Sequence, residues 1–360
     1  MSADESMIMR GGEHRLRVIG LPSNGHAYQD SFYAALEARG AEVVTGYFAG
    51  RWLLANVHAG DIVHLHWPSF FYASPSSARS ALNLAKYIAF LIALRLRGAR
   101  IVWTAHNLYP HQSTNLRGAD ALARYATIRL SERIFAHGSH AVDAIIREFG
   151  VSPSKIVSIP LGNWVDYFPN GVSREGARQK LSIAQNARVL LFFGGLEPYK
   201  NLPLLLRAFE QAQEVGEELW IVGRCKDEAL RLEILQAAAR IAHVHVEDRY
   251  VADEEIQFYM RAADTAVLPY RDRLTCGAAM LALSYGVPVI APRIGCFSSI
   301  VDANSGLLYE SNSSDGAAAL ADALRASRHI TFDARMIRDR ARQFKWEDAA
   351  DNFVRALQRG

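Results

Sequence analysis

The stretch from Ala263 to Gly295 limits the folds open to this chain more than any other. Thr265 to Leu268 is a short apolar run stopped by Pro269, and a loop carrying Tyr270, Arg271, Asp272 and Arg273 runs into the small residues Thr275, Cys276 and Gly277. Ala278 to Tyr285 has the length and composition of a helix closed by Gly286, and Val287 to Ile290 is a second buried strand. Strand, loop, helix and strand in this order suit an open parallel sheet, whose ligands sit in the crevice beyond the strand ends. A helix that begins there with small residues presents free backbone N–H groups and a positive dipole end, and its natural guest is a phosphate.

With 360 residues the chain is long enough for two domains, each with its own core. Half of the residues are hydrophobic and no long polar or repetitive tract occurs, as expected of a globular protein. The three cysteines, Cys225, Cys276 and Cys296, form neither a metal-binding pattern nor an even disulfide framework, which fits a reducing compartment. Met1 to Glu13 is polar and no apolar run reaches transmembrane length, so the expected location is the cytoplasm. The net charge of +3 is unevenly spread: residues 1 to 165 hold 16 Lys and Arg against 11 Asp and Glu. That excess is too weak and scattered for a nucleic-acid surface, and suits a membrane surface or an anionic lipid-linked substrate better.

From the N-terminus, Leu16 to Leu21 reads as a first strand, followed by a loop with Asn24 and His26 and a helix from about Tyr28 to Arg39. Asp61 to Pro68 is a strand in which alternation places Ile62, His64 and His66 on one side and Val63, Leu65 and Trp67 on the other. Its two histidines lack a third metal ligand at suitable spacing. Ala78 to Arg97 is the most apolar helix and carries Arg79, Lys86, Arg95 and Arg97. It is either buried between sheet and neighbour or an interfacial helix whose cations meet lipid phosphates. Ile101 to His111 repeats the pattern of a strand running into a His-rich loop, which aims His106, Asn107 and His111 at a cleft. Helices are expected over 117–133, which includes Asp120, and over 140–149, with a short strand at 134–137 and a last strand of the first domain at 155–160. Residues 170–187 read as an interdomain connection. A strand from Arg188 to Phe193 then leads to Gly194-Gly195, where backbone can pass close to a phosphate, and to Lys200, whose ammonium can reach the same anion. Arg224 follows the next strand, and Asp253 to Glu255 reads as a helix N-cap with an acidic first turn.

These segments resemble the GT-B glycosyltransferases. The stretch 263–295 is similar to their nucleotide-sugar signature, although the two glutamates of the retaining family 4 members are Arg273 and Leu281 here. Leu274-Thr-Cys-Gly277 with Ala282-Leu-Ser284, His64-Leu-His-Trp-Pro68 and Thr104-Ala-His-Asn-Leu-Tyr-Pro-His111 resemble family 94 exopolysaccharide transferases of the xanthan β-mannosyltransferase type. The resemblance implies two Rossmann-like domains facing across a cleft: an acceptor domain over 1–165, a linker over 166–187, a nucleotide-sugar domain over 188–340 and a C-terminal helix over 341–360 that packs back on the first domain. It implies donor contacts by Gly194, Gly195, Lys200, Arg224, Tyr270, Arg273, Thr275, Cys276 and Gly277, with Arg249 and Tyr250 at the base. Acceptor contacts are implied for Asn24, His26, Trp67, Asn107 and His111. The family's arginine five residues before the phosphate lysine is Gly195 here, and its histidine after the last strand of the first domain is Leu161.

Glycosyl transfer needs a site for the departing diphosphate, a sugar pocket and a group that takes the acceptor's proton. Lys200, the helix start at Thr275 to Gly277, and Arg224 or Arg273 supply the first. No Asp-x-Asp motif occurs, so no metal or other cofactor is expected. In an inverting reaction the base is expected to be His106, with Asp272, His66 and Asp120 next; in a retaining one the departing phosphate takes the proton. The loss of both glutamates favours inversion. The expected function is mannosyl transfer from GDP-mannose to a lipid-linked oligosaccharide in exopolysaccharide biosynthesis, at the inner face of the plasma membrane. The alternatives are a UDP-sugar donor, a nucleotide-sugar 2-epimerase and a catalytically inactive nucleotide-sugar-binding protein.

Overall fold

A computed structural model describes residues 15–22, 25–110, 118–271, 274–311 and 316–358. Its strands are β1 (Arg17–Leu21), β2 (Glu42–Thr45), β3 (Ile62–Leu65), β4 (Arg100–Ala105), β5 (Arg133–His137), β6 (Ile156–Ile159), β7 (Arg188–Phe193), β8 (Glu217–Val222), β9 (Val244–Glu247), β10 (Thr265–Val267), β11 (Val289–Pro292) and β12 (Gly306–Tyr309). They form two six-stranded sheets, ordered β2-β1-β3-β4-β5-β6 and β12-β11-β10-β7-β8-β9, with helices between nearly all successive strands. This is the doubly wound α/β architecture of the GT-B fold. Parallel strands buried on both faces need continuous apolar runs, and β3 (Ile-Val-His-Leu), β10 (Thr-Ala-Val) and β11 (Val-Ile-Ala-Pro) are buried at every position.

The chain divides into two compact units, one from the described residues of 1–105, 112–135 and 350–360, the other from those of 106–111 and 136–349. In the first, Phe353 of the helix Trp346–Gln358 packs on Phe135 at 4.5 Å and on His64 and Phe32 at 5.0 and 5.5 Å between ring centroids. Asp351 pairs with Arg39, and Arg100 donates to Glu132 and to the carbonyl of Leu357. The helix Ser77–Leu96 buries one stripe only, Ser80, Leu84, Tyr87, Leu91 and Leu94. Tyr87 is tied to Thr127 of the helix Ala119–Leu130 by a 2.7 Å hydrogen bond.

In the second unit, the helix Gly277–Tyr285 is buried from Ala279 to Tyr285 and ends at Gly286 with φ +79°, where a Cβ would stand 2.8 Å from the carbonyl of Ala334. One segment holds a helix that the sequence analysis did not foresee, and one local expectation needs correction. The polar run at 170–187 holds a helix, Arg174–Lys180, capped by Ser173; the fully buried Arg178 fastens it by donating to Ala262, Ala184, Gln185 and Ala187 carbonyls and to Asp264. The helix expected to begin at Asp253 starts at Ile256, with Glu255 as an N-cap that makes no side-chain cap bond because its carboxylate holds Arg249 instead.

Candidate functional site

Each sheet reverses its strand order once, and the ends of the strands flanking that point form the ligand crevice of such folds. In the second unit the reversal lies between β7 and β10. The chain leaves β7 at Gly194, whose φ of +116° is strained for any side chain and whose missing Cβ would stand 3.3 Å from Lys200 Nζ. Gly223, at the end of β8, has φ +148°, and a Cβ there would stand 2.2 Å from the carbonyl oxygen of Gly194. Two glycines thus allow the two strand ends to touch. Lys200 closes the 3-10 turn Pro198–Lys200 and is 7% exposed, with its ammonium 5.6 to 5.9 Å from the ring centroids of Tyr270, Phe192 and Tyr199. The sequence places a cation beside Gly194, and the fold surrounds it with aromatic faces.

The chain leaves β10 through Tyr270 and returns at Leu274. Cys276 is the N-cap of the helix Gly277–Tyr285, its Sγ accepting from the amide of Ala279 at 3.4 Å. Gly277 has no room to spare, since a Cβ there would lie 3.3 Å from the Trp164 ring. Thr275 Oγ1 donates to the carbonyl of His106 at 3.2 Å, and His140 Nε2 donates to the carbonyl of Leu274 at 2.7 Å. These bonds bring His106, expected as the base, to the loop expected to hold the donor. The His106 ring lies 5.7 Å from that of His137. A cavity of about 260 Å³ opens here, walled among others by His137, His140, Leu161, Thr275, Cys276 and Cys296. Gly194 and Lys200 are not among its lining residues. His137 Nδ1 donates to the carbonyl of Pro160 at 3.2 Å, and burial lowers its pKa to about 4, so the ring is neutral at pH 7.

The other expected donor residues are spread along the same sheet edge. Gly195 stands near the backbone of Arg224, whose carbonyl accepts from Leu196 at 2.9 Å while its side chain is exposed. Arg249 is held by Glu255 at 2.8 and 2.9 Å, by Glu247 and by Tyr259, and pairing with Glu255 raises its pKa. Tyr250 is 72% exposed, whereas Tyr270 is 2% exposed and packs between Phe192, Tyr199 and Phe297. Asn107 is half-buried.

In the first unit the reversal lies between β1 and β3. His26 caps the helix Ala27–Glu37 through Nδ1 and its ring lies 5.2 Å from Trp67. His66 is buried, with Nε2 2.7 Å from the Tyr33 hydroxyl; Tyr33 reaches His64 Nδ1, and His64 Nε2 lies 2.7 Å from Thr104 Oγ1. Asp120 accepts from the Tyr72 hydroxyl at 2.9 Å. Asn24, His111, Asp272 and Arg273 lie outside the described residues. Among the described residues no group of three or more His, Cys, Asp or Glu is arranged to hold a metal ion, and no helix is long and apolar enough to cross a membrane.

His137, His140 and Cys296 are among the wall residues that the sequence analysis did not single out as site residues. The signal was present: Ile134-Phe-Ala-His-Gly-Ser-His140 puts one histidine at a strand end and another in the first turn of the following helix, after the strand-end histidines at His66 and His106.

Residues 187–327 match the family described as Glycosyl transferases group 1. A GDP-mannose:glycolipid 4-beta-D-mannosyltransferase of Xanthomonas campestris pv. campestris is 29% identical over 78% of this chain and 73% of its own length. Among solved structures, a sucrose-phosphate synthase from Thermosynechococcus elongatus superposes with a TM-score of 0.70 at 16% identity, covering 96% of this chain and 99% of that one. HepE of Anabaena, in complex with UDP and glucose, gives 0.68 at 18% identity, covering 96% and 100%. These likenesses agree: the chain has the GT-B fold, and its residues 187–327 form a glycosyltransferase group 1 domain.

Proposed function

We propose that this glycosyltransferase moves mannose from GDP-mannose to a lipid-linked oligosaccharide during exopolysaccharide assembly, with inversion and without a metal. The observation that carries this reading is the 29% identity over most of the chain to a relative named GDP-mannose:glycolipid 4-beta-D-mannosyltransferase. Family motifs at His64 to Pro68 and Thr104 to Pro110 support it, because they lie outside the group 1 domain, in the part of the chain assigned to the acceptor.

In the reaction the acceptor hydroxyl oxygen bonds to the anomeric carbon, the bond from that carbon to the β-phosphate oxygen breaks, and GDP leaves. Lys200 and the amides at the start of the helix Gly277–Tyr285 stabilise the charge gathering on the phosphate. The hydroxyl proton goes to His106, whose backbone is held to the donor loop by Thr275. A lipid-borne acceptor brings the enzyme to the inner membrane face as a peripheral protein.

The test is thermal unfolding with GDP, UDP, ADP and their sugars, since a ligand that binds only the folded state at 100 times its Kd adds about 2.7 kcal/mol. Stabilisation by GDP and GDP-mannose that Lys200→Ala abolishes, together with transfer of labelled mannose to a glycolipid, is the expected result. Selectivity for UDP overturns the donor, free sugar released without an acceptor points to an epimerase, and nucleotide binding with no turnover points to an inactive binder.

A further inference from the structure

We infer that His140 is a positioning residue for the donor phosphates: by holding the carbonyl of Leu274 it aims the amide of Thr275 at the anion. His140 is the second residue of the helix Ser139–Phe149, and it reaches a loop 134 positions further along the chain. Its Nε2 stands 2.7 Å from the Leu274 carbonyl oxygen. That oxygen only accepts, so Nε2 carries the proton and Nδ1 is a bare lone pair. Nδ1 is buried and meets no hydrogen-bond partner among the described residues. Gly138 makes the ring's seat, since its φ is +86° and a Cβ there would stand 3.1 Å from Nδ1. A ring that leaves one buried nitrogen unsatisfied costs stability, and the bond at its other nitrogen is what the placement provides.

What that bond fixes follows from the peptide plane. The peptide between Leu274 and Thr275 is trans, so its C=O and N–H point in opposite directions. Turning the carbonyl toward His140 turns the Thr275 amide away from it. Among the described residues no acceptor meets that amide. Thr275 directly precedes Cys276, the cap of the helix Gly277–Tyr285, so its N–H joins the unsatisfied amides of the first turn. With the same peptide flipped, the negative end of a carbonyl would face the phosphate instead. The Thr275 side chain, held to the His106 carbonyl at 3.2 Å, fixes the residue from a second direction. The loop is also fastened to the turn of Lys200, where the amide of Arg271 donates to the Tyr199 carbonyl at 3.0 Å.

This inference rests on the donor site of the preceding reading, and the experiment separates the two. The full chain, His140→Leu and His140→Gln are titrated by calorimetry with inorganic pyrophosphate, GDP and UDP, at a temperature where thermal unfolding shows each to be folded. Leucine fills the space without a donor, whereas glutamine carries an N–H at about the reach of Nε2. The expected result is that His140→Leu weakens pyrophosphate and the nucleoside diphosphate about tenfold and lowers kcat about tenfold, while His140→Gln returns to within about threefold of the parent. His140→Asn, whose amide falls short of Leu274, gives the same loss and serves if the leucine variant does not fold. A merely structural tie lowers Tm and leaves the Kd of the folded protein unmoved. The inference is overturned if the variants without the donor bind pyrophosphate as the parent does, or if His140→Gln is as weak as His140→Leu. A parent that prefers UDP overturns the mannosyl donor and leaves the role of His140 standing; a parent that binds none of the three ligands removes the donor site and this inference together.

Discussion

Replacing His137 by asparagine should flatten the acid side of the stability curve. The ring is buried, its Nδ1–H donates to the Pro160 carbonyl, and burial sets its pKa near 4 against an ordinary 6.5. The unfolded chain therefore takes up a proton first as the pH falls. Stability associated with this group is complete above pH 6.5 and is lost progressively between pH 6.5 and 4. Each unit of pH across that window costs about 1.4 kcal/mol, so the parent loses about 3 kcal/mol by pH 4 through this one residue. An asparagine amide can keep the bond to Pro160 without titrating. The assay is urea unfolding of parent and His137→Asn at half-unit steps from pH 4 to 7.5, with the difference between the two free energies plotted against pH. That difference removes the contribution of the carboxylates, which is common to both proteins. A line of slope near 1.4 kcal/mol per unit below pH 6.5 supports the argument; parallel curves refute it and mean that the ring is charged or solvated in the folded protein.

Gly194→Ala should weaken GDP binding at least tenfold in calorimetry and destabilise by about 1–3 kcal/mol, since φ +116° is strained for alanine and its methyl would press on Lys200. Gly162→Ala should lower stability by about 1–3 kcal/mol in chemical denaturation, because a Cβ would stand 2.1 to 2.4 Å from the Trp346 ring. Thr275→Val removes the hydroxyl that holds the His106 carbonyl; steady-state kinetics should find kcat lowered about tenfold with the KM for GDP-mannose little changed. Phe353→Ala should destabilise by about 3–5 kcal/mol in thermal or urea unfolding, as it removes the ring on which Phe32, His64 and Phe135 converge.

Most strands and the major helices were legible because their signals are local. Short apolar runs marked β10 and β11, alternation ended by Pro68 marked β3, and Gly286 marked the end of its helix with the positive φ it adopts. The helix Arg174–Lys180 was not legible, because a polar run looks like a linker until Arg178 finds the carbonyls of Ala262 and Ala187, residues that the fold alone brings to it. Asp253 failed as a cap for the related reason that Arg249 recruits Glu255 and shifts the start of the helix.

The sequence by itself indicated parallel α/β strands and the glycine and histidine residues at their ends, since periodicity and residue placement are properties of neighbours along the chain, and the family resemblance added the two-domain fold class. Only tertiary structure decided which of these segments meet. It tied His106 to Thr275 across 169 positions, placed His140 on Leu274, made His137 a neutral wall of the cavity and left Leu82, Ile92 and Leu96 uncovered. Those outcomes depend on the order of strands in a sheet and on the desolvation that packing imposes, and neither is written in any local stretch of residues.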